Sequence, residues 1–318
     1  MSKEKIINDS KDKHTHSHSH GYAHHHHHTG SSEDGQSNIK WALYLNIAFT
    51  IIEIIGGIMT NSIAILSDAI HDLGDTIAIG SSLALEKYSY KERDQKFSYG
   101  YRRFSPLAGL INTIILITGS IIIIYESVPR FFNPQIVDFD GMFYLAILGV
   151  AFNGFAVLRM RNSKGANQRV VMLHLLEDVL GWTAILIGSV IIKYTGLYII
   201  DPILSLLVAF YILYGAIKNF WIISGIFLQR TPLGSSEEEL VSGLAKINGV
   251  GQVHDLHLWT LDGEYNIVTV HLVVGDEISV DELVEIKSKA RDIISQAGHK
   301  HYTIEIEFNC ENCDFEDC

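Results

Sequence analysis

His71-Asp72-Leu73-Gly74-Asp75 and His174-Leu175-Leu176-Glu177-Asp178 each set a histidine four residues before an aspartate, and both pairs lie in long apolar runs. On an α-helix that spacing puts the two side chains on one face, one turn apart. Two such faces turned together offer two imidazoles and two carboxylates, an N2O2 set of the kind Zn2+ accepts tetrahedrally. The absence of a thiolate or thioether disfavours Cu+. An ionised group at mid-bilayer costs at least about 2.5–3.5 kcal/mol, so four such groups need a compensating partner. A divalent cation between two carboxylates cancels their formal charge, and the same groups take up protons when the metal leaves. A site of this kind that opened to each side in turn would exchange metal for protons. His174 comes only one turn after Val170, where its apolar run begins, whereas His71 is near the middle of its own. A fifth helix starting nearer Gly165, with Arg169 reaching to the interface, removes the difference in depth.

A second set of donors lies near the C-terminus. Two β-rich stretches, 253–261 and 264–274, flank Asp262-Gly263, a strong signal for a two-residue hairpin turn. With Leu261 and Glu264 beside the turn, His254 falls opposite His271, their Cβ atoms ~4.5–5.5 Å apart. Alternation then assigns Trp259, Val268, Val270, Leu272 and Val274 to the core face and the two histidines to the other. His257 falls on the core side and reads as structural. On a third strand, 302–308, Ile304, Ile306 and Phe308 form the apolar set, leaving Glu305 and Glu307 on the face that the histidines share. Beyond it, Cys310-Glu-Asn-Cys313 and Cys318 supply thiols, but one C-x2-C pair cannot fill a tetrahedral zinc site. The missing ligands could come from the N-terminal tail, where His14, His16, His18, His20, His24, His25, His26, His27 and His28 cluster. That tail has too little apolar content to fold and reads as a mobile metal collector.

These residues need elements to hold them. A mean hydropathy of +0.19 over 318 residues argues against a soluble globular or disordered chain. Six apolar runs, 41–59, 63–85, 106–128, 142–158, 170–192 and 203–223, are each near the ~20 residues a spanning helix needs. The leading segment is polar and does not read as a cleavable signal, so all six spans are expected to remain. Lys87, Lys91, Arg93, Lys96, Arg102 and Arg103 follow the second run, and Arg159, Arg161, Lys164 and Arg169 follow the fourth; the other linkers carry only Arg130 and Lys193. The basic linkers therefore face the cytoplasm, as do both termini, where the cysteines stay reduced. From Gln229 onward there are 6 basic and 18 acidic residues, a balance that speaks against nucleic acid. Ser235 with Glu238, or Ser236 with Glu239, opens a helix to about Lys246, and Ser279 with Glu282 opens another to about Ala297.

The predicted fold is an all-α six-helix transmembrane domain plus a small α+β cytoplasmic domain of order αββαβ, ferredoxin-like. The expected boundaries are 1–38 for a disordered His-rich tail, 39–228 for the membrane domain, 229–309 for the cytoplasmic domain and 310–318 for a Cys-containing tail.

The paired His-x3-Asp motifs on runs two and five, Phe97-Ser-Tyr-Gly-Tyr-Arg102 before run three, Asp201-Pro202 opening run six and the αββαβ domain together resemble the cation diffusion facilitator family. The resemblance covers about Ile39 to Cys313. It implies a homodimeric antiporter that moves Zn2+ out of the cytosol in exchange for protons, with Cd2+ or Co2+ as further substrates. His71, Asp75, His174 and Asp178 are then the transport ligands. It also implies a cytoplasmic zinc site of His254, His271 and Glu307, and pairing of Cys310 and Cys313 with the His-bearing tail. The implied location is a bacterial plasma membrane, or an organelle membrane in a eukaryote. Some relatives carry a further site with His in the linker after span two, but 87–100 has no His, so that site is not assigned. Glu53, Asp68, Asp72, Glu126 and Glu177 receive no role. Two other classes stay open at this point. An intramembrane zinc hydrolase would need an open metal position and an HExxH-like base, which the sequence lacks; a zinc sensor or store would bind without transporting.

Overall fold

The computed structural model describes residues 33–160 and 166–309. Six long helices come first: α1 Glu33–Thr60, α2 Ile63–Ser89, α3 Phe104–Phe132, α4 Phe139–Met160, α5 Ala166–Thr195 and α6 Ile200–Phe227. Among the described residues, four helices are long and apolar enough to cross a membrane: Phe104–Phe132, Phe139–Leu158, Leu175–Thr195 and Ile200–Phe227. Within α1 a shorter apolar stretch runs Asn46–Thr60, and α2 carries Asp68, Asp72 and Asp75 in its middle. The described part of the fifth helix begins at Ala166, ahead of Val170, where its apolar run begins.

The bundle is polar inside and apolar outside. Glu53, Asp68, Asp72, Asp178 and Asp201 are buried, while Phe155, Leu207, Tyr214 and Trp221 face outward. Water would favour the reverse distribution; hydrocarbon favours this one. The apolar packing inside centres on Phe49, stacked on Phe152 at 4.9 Å and edge-on to Trp182 at 5.7 Å.

The C-terminal part follows as α7 Glu237–Leu244, β1 Val250–Thr260, β2 Asn266–Val274, α8 Val280–Gln296 and β3 His301–Phe308, the αββαβ order. Ser236 caps α7 by accepting from Glu239 N, and Ser279 with Glu282 forms a full capping box on α8. The sheet runs β1-β2-β3, with β1 antiparallel and β3 parallel to the central β2. Ile286, Ala290 and Ile294 recur every four residues on α8, packing with Leu240 and Leu244 of α7 over Val268, Val270, Leu272 and Val274.

Three expectations for β1 fail, for one connected reason. The turn is not two residues long: Leu261 N donates to Tyr265 O at 3.0 Å, enclosing Asp262, Gly263 and Glu264. Asp262 accepts at Oδ1 from Glu264 N and Tyr265 N, a local side-chain turn that outcompetes the tighter hairpin. Thr260 therefore lies opposite Asn266, one residue out of the expected register. A bulge between His254 and His257 then restores it, so His254 does lie opposite His271. Above the bulge the faces are inverted: Leu256 and Leu258 are the core residues, Trp259 is only half-buried, and His257 is exposed rather than structural.

Candidate metal sites

His71 and Asp75 lie on α2, His174 and Asp178 on α5. His71 Nε2 is 3.8 Å from Asp75 Oδ2 within its own helix and 4.0 Å from Asp178 Oδ1 across to α5. Three of the four expected donors thus converge; the side chain of His174 lies outside the described residues. Close approach of the helices depends on small residues. A Cβ on Gly74 would run into Leu116 of α3, one on Gly149 of α4 into the Trp182 indole one turn after Asp178, and one on Gly119 would meet Ile70 at 2.5 Å. Asn46 of α1 donates to Asp72 O at 3.2 Å and to Thr76 Oγ1 at 3.0 Å, tying α1 to the ligand-bearing turn of α2. At the other end of α2, Asp201 of α6 accepts from Ser62 Oγ at 2.5 Å, Ile63 N at 2.9 Å and Ala64 N at 3.2 Å. A carboxylate from another helix thus caps these buried first-turn donors and sits at the positive end of the helix dipole. The Asp201-Pro202 pair, which the sequence offers only as a motif, has this structural use.

The second group is in the sheet. Donor atoms of His254, His271 and Glu307 all lie within 4.8 Å of one another. His254 Nε2 is 2.9 Å from Glu307 Oε2, and His271 Nδ1 is 2.6 Å from Glu307 Oε1. Glu307 is 8% exposed, so the carboxylate is screened from water and committed to the two imidazoles. Two nitrogens and a carboxylate in this compass suit Zn2+ with a fourth ligand from elsewhere. His271 turns its other nitrogen, Nε2, to Asp255 Oδ2 at 3.4 Å and Glu305 Oε2 at 3.5 Å, the arrangement that fixes a ligand ring and raises its basicity. Asp255 escaped the sequence reading because strict alternation hides it on the core face. It sits in the bulge at φ +47, and its Oδ1 is 2.9 Å from His257 Nε2. An aspartate between two histidines of a β-strand, a type tolerant of φ > 0, was the available signal. Cys310, Cys313, Cys318 and the tail histidines from His14 to His28 lie outside the described residues.

A third feature joins the two parts. Gly100, at φ +75 in Phe97-Ser-Tyr-Gly-Tyr-Arg102, turns the chain back towards Lys91. Asp94 accepts from Tyr101 Oη at 2.7 Å, Lys96 N at 2.9 Å and Phe97 N at 3.0 Å, contacts that hold its carboxyl well below the usual carboxylate range. Arg102 then reaches Asp262 at 3.2 Å and lies over the Tyr265 ring at 4.4 Å, while Tyr99 meets the His301 ring edge-on at 5.4 Å. The motif before α3 is thus the contact between the helical bundle and the hairpin that carries the second donor group.

Comparison with known proteins agrees with this architecture. Residues 39–226 match the family described as "Cation efflux transmembrane domain", and residues 232–308 the one described as "Cation efflux protein, cytoplasmic domain". The chain is 32% identical over 287 residues to a "Cadmium, cobalt and zinc/H(+)-K(+) antiporter" of Bacillus velezensis, covering 88% of this chain and 92% of the relative. It is 31% identical to the "Metal cation efflux system protein CzcD" of Cupriavidus metallidurans, with 88% and 89% coverage. A "Zinc transporter ZitB" of Escherichia coli is 30% identical, with 90% and 91% coverage. With both parts of the chain matched in order, the protein belongs to the cation efflux family, the cation diffusion facilitators that its paired motifs resemble.

Proposed function

We propose that this protein is a secondary transporter that exports Zn2+ from the cytosol in exchange for protons, with Cd2+ and Co2+ as further substrates. One observation carries the reading: α2 and α5 bring His71, Asp75 and Asp178 together inside a bundle whose outer surface is apolar. With His174, one turn before Asp178 on α5, the set holds two nitrogens and two oxygens, neutral overall when Zn2+ is bound. The names of the relatives, which specify zinc, cadmium, cobalt and protons, support the choice of cargo and counter-ion.

In this reading all six helices span the membrane and both termini are cytoplasmic. The membrane domain is 39–228 and the cytoplasmic domain 229–309, with metal-collecting tails at 1–38 and 310–318. The cytoplasmic domains pair in a homodimer, and His254, His271 and Glu307 hold a regulatory Zn2+ that Cys310 and Cys313 help to complete. The basic linkers support the orientation.

Purified protein in liposomes tests the reading. Zinc flux should follow an imposed pH gradient and fall at least about tenfold in Asp178→Ala, whereas His254→Ala should weaken cytoplasmic zinc binding more than flux. Tight binding with no flux would replace transport with sensing.

A further inference from the structure

We propose that a cavity at the junction of bundle and sheet binds the phosphate group of an anionic phospholipid from the cytoplasmic leaflet. The cavity encloses about 410 Å3 between the segment before α3 and the end of β1. Lys96, Arg102 and Arg103 line it together with Tyr99, Phe104 and Trp259, and none of its lining residues is acidic. Arg103 immediately precedes α3, and its side chain makes no capping bond. Its Nε is buried and has no hydrogen-bond partner among the described residues. Asp94 and Asp262, from the same two segments, are committed elsewhere, the first to Lys91 and Tyr101 and the second to Arg102.

A guanidinium screened from water without an anion is costly, and its planar fork matches two phosphate oxygens better than a point charge does. Lys96 is exposed and adds a second positive charge. Position and aromatic lining select the source of the phosphate. Arg103 stands at the start of the apolar helix Phe104–Phe132, and Gln229, also in the lining, comes two residues after the apolar helix Ile200–Phe227. The cavity is therefore level with the ends of two spans, where headgroups lie and where Trp and Tyr concentrate. The basic residues of the same linker, from Lys87 to Arg103, make this the cytoplasmic side, where such pockets hold anionic headgroups. Trp259, which the shifted register of β1 leaves half-buried, is part of the sheet's share of the lining. A headgroup held by Arg103 and Trp259 together fastens the bundle to the hairpin that carries His254 and His271. The site shares no residue with either donor group, so its test does not depend on the metal.

The full chain is placed in nanodiscs of phosphatidylcholine with increasing fractions of phosphatidylglycerol, and deuterium exchange of amides 96–104 and 257–261 is followed by mass spectrometry. Phosphatidylglycerol should slow exchange in both segments at least about threefold, whereas inorganic phosphate added to pure phosphatidylcholine discs should not. Arg103→Gln should raise the phosphatidylglycerol fraction that gives half the effect by about tenfold, and Lys96→Gln, at an exposed position, by about fivefold. Arg93→Gln removes an exposed charge of the same linker from outside the lining and should change that fraction less than about twofold. No slowing by phosphatidylglycerol overturns the proposal, as does an equal loss in Arg93→Gln, which would reduce the effect to diffuse surface charge. Slowing by inorganic phosphate alone would make the ligand a soluble anion and overturn the lipid assignment. If Arg103→Gln does not fold, Lys96→Gln against Arg93→Gln decides the same question.

Discussion

His299 lies between α8 and β3 at 4% exposure, and its Nδ1 is buried without a hydrogen-bond partner. Burial pushes its pKa below the ordinary 6.5. On acidification the unfolded chain binds a proton that the fold resists, so this residue's contribution is intact above about pH 6.5 and declines as pH falls further. His299→Leu is expected to reduce the acid loss of cytoplasmic-domain stability, read as the difference in denaturant midpoint by Trp fluorescence on either side of that pH. Asp255 is a second residue with a separable role. Asp255→Ala loses the carboxylate beside His271 and strains a backbone at φ +47, whereas Asp255→Gly loses only the carboxylate. Both variants should bind cytoplasmic zinc about 10–100-fold more weakly, and Ala should cost about 1–2 kcal/mol more stability than Gly. Calorimetric titration and denaturant unfolding of the two variants check this.

At the scale of elements, the start of α2 depends on α6. Asp201 serves three buried donors at once, so Asp201→Ala leaves Ser62, Ile63 and Ala64 without their acceptor. The expected cost is about 1–3 kcal/mol, read as a fall in the thermal midpoint of the detergent-solubilised protein; an unchanged midpoint would show that water replaces the carboxylate. The hairpin teaches the opposite lesson about local signals. Asp262-Gly263 reads as a two-residue turn, yet Asp262 uses its side chain to organise a longer loop. His254 still lies opposite His271 because the bulge cancels the shift. The pairing came out right from two errors that compensate, while Trp259 and His257, above the bulge, came out on the wrong faces.

Across the whole molecule, the bundle and the sheet meet through the segment before α3. Arg102 with Asp262 is a partly exposed pair, and such pairs stabilise by about 0–1 kcal/mol. Arg102→Ala should therefore leave global unfolding within about 1 kcal/mol, while amides of 96–104 exchange faster with deuterium, measured by mass spectrometry. Unchanged exchange there would mean that Tyr99 on His301 suffices to hold the contact.

Periodicity and composition are local properties, and what depends on them was legible in the chain alone: the long apolar helices, the His-x3-Asp faces of α2 and α5, the capping box of α8, and the apolar alternation of β2 and β3. Tertiary structure decided what depends on residues distant in sequence. It set Asp178 beside His71, gave Asp201 the start of α2 as its partner, and put Asp255 into a bulge against His271. The physical reason is that a helix face or a capping turn is fixed by neighbours a few residues away. Whether a buried polar group is a ligand or a cap is fixed by what the packing of other elements brings within reach of its charge.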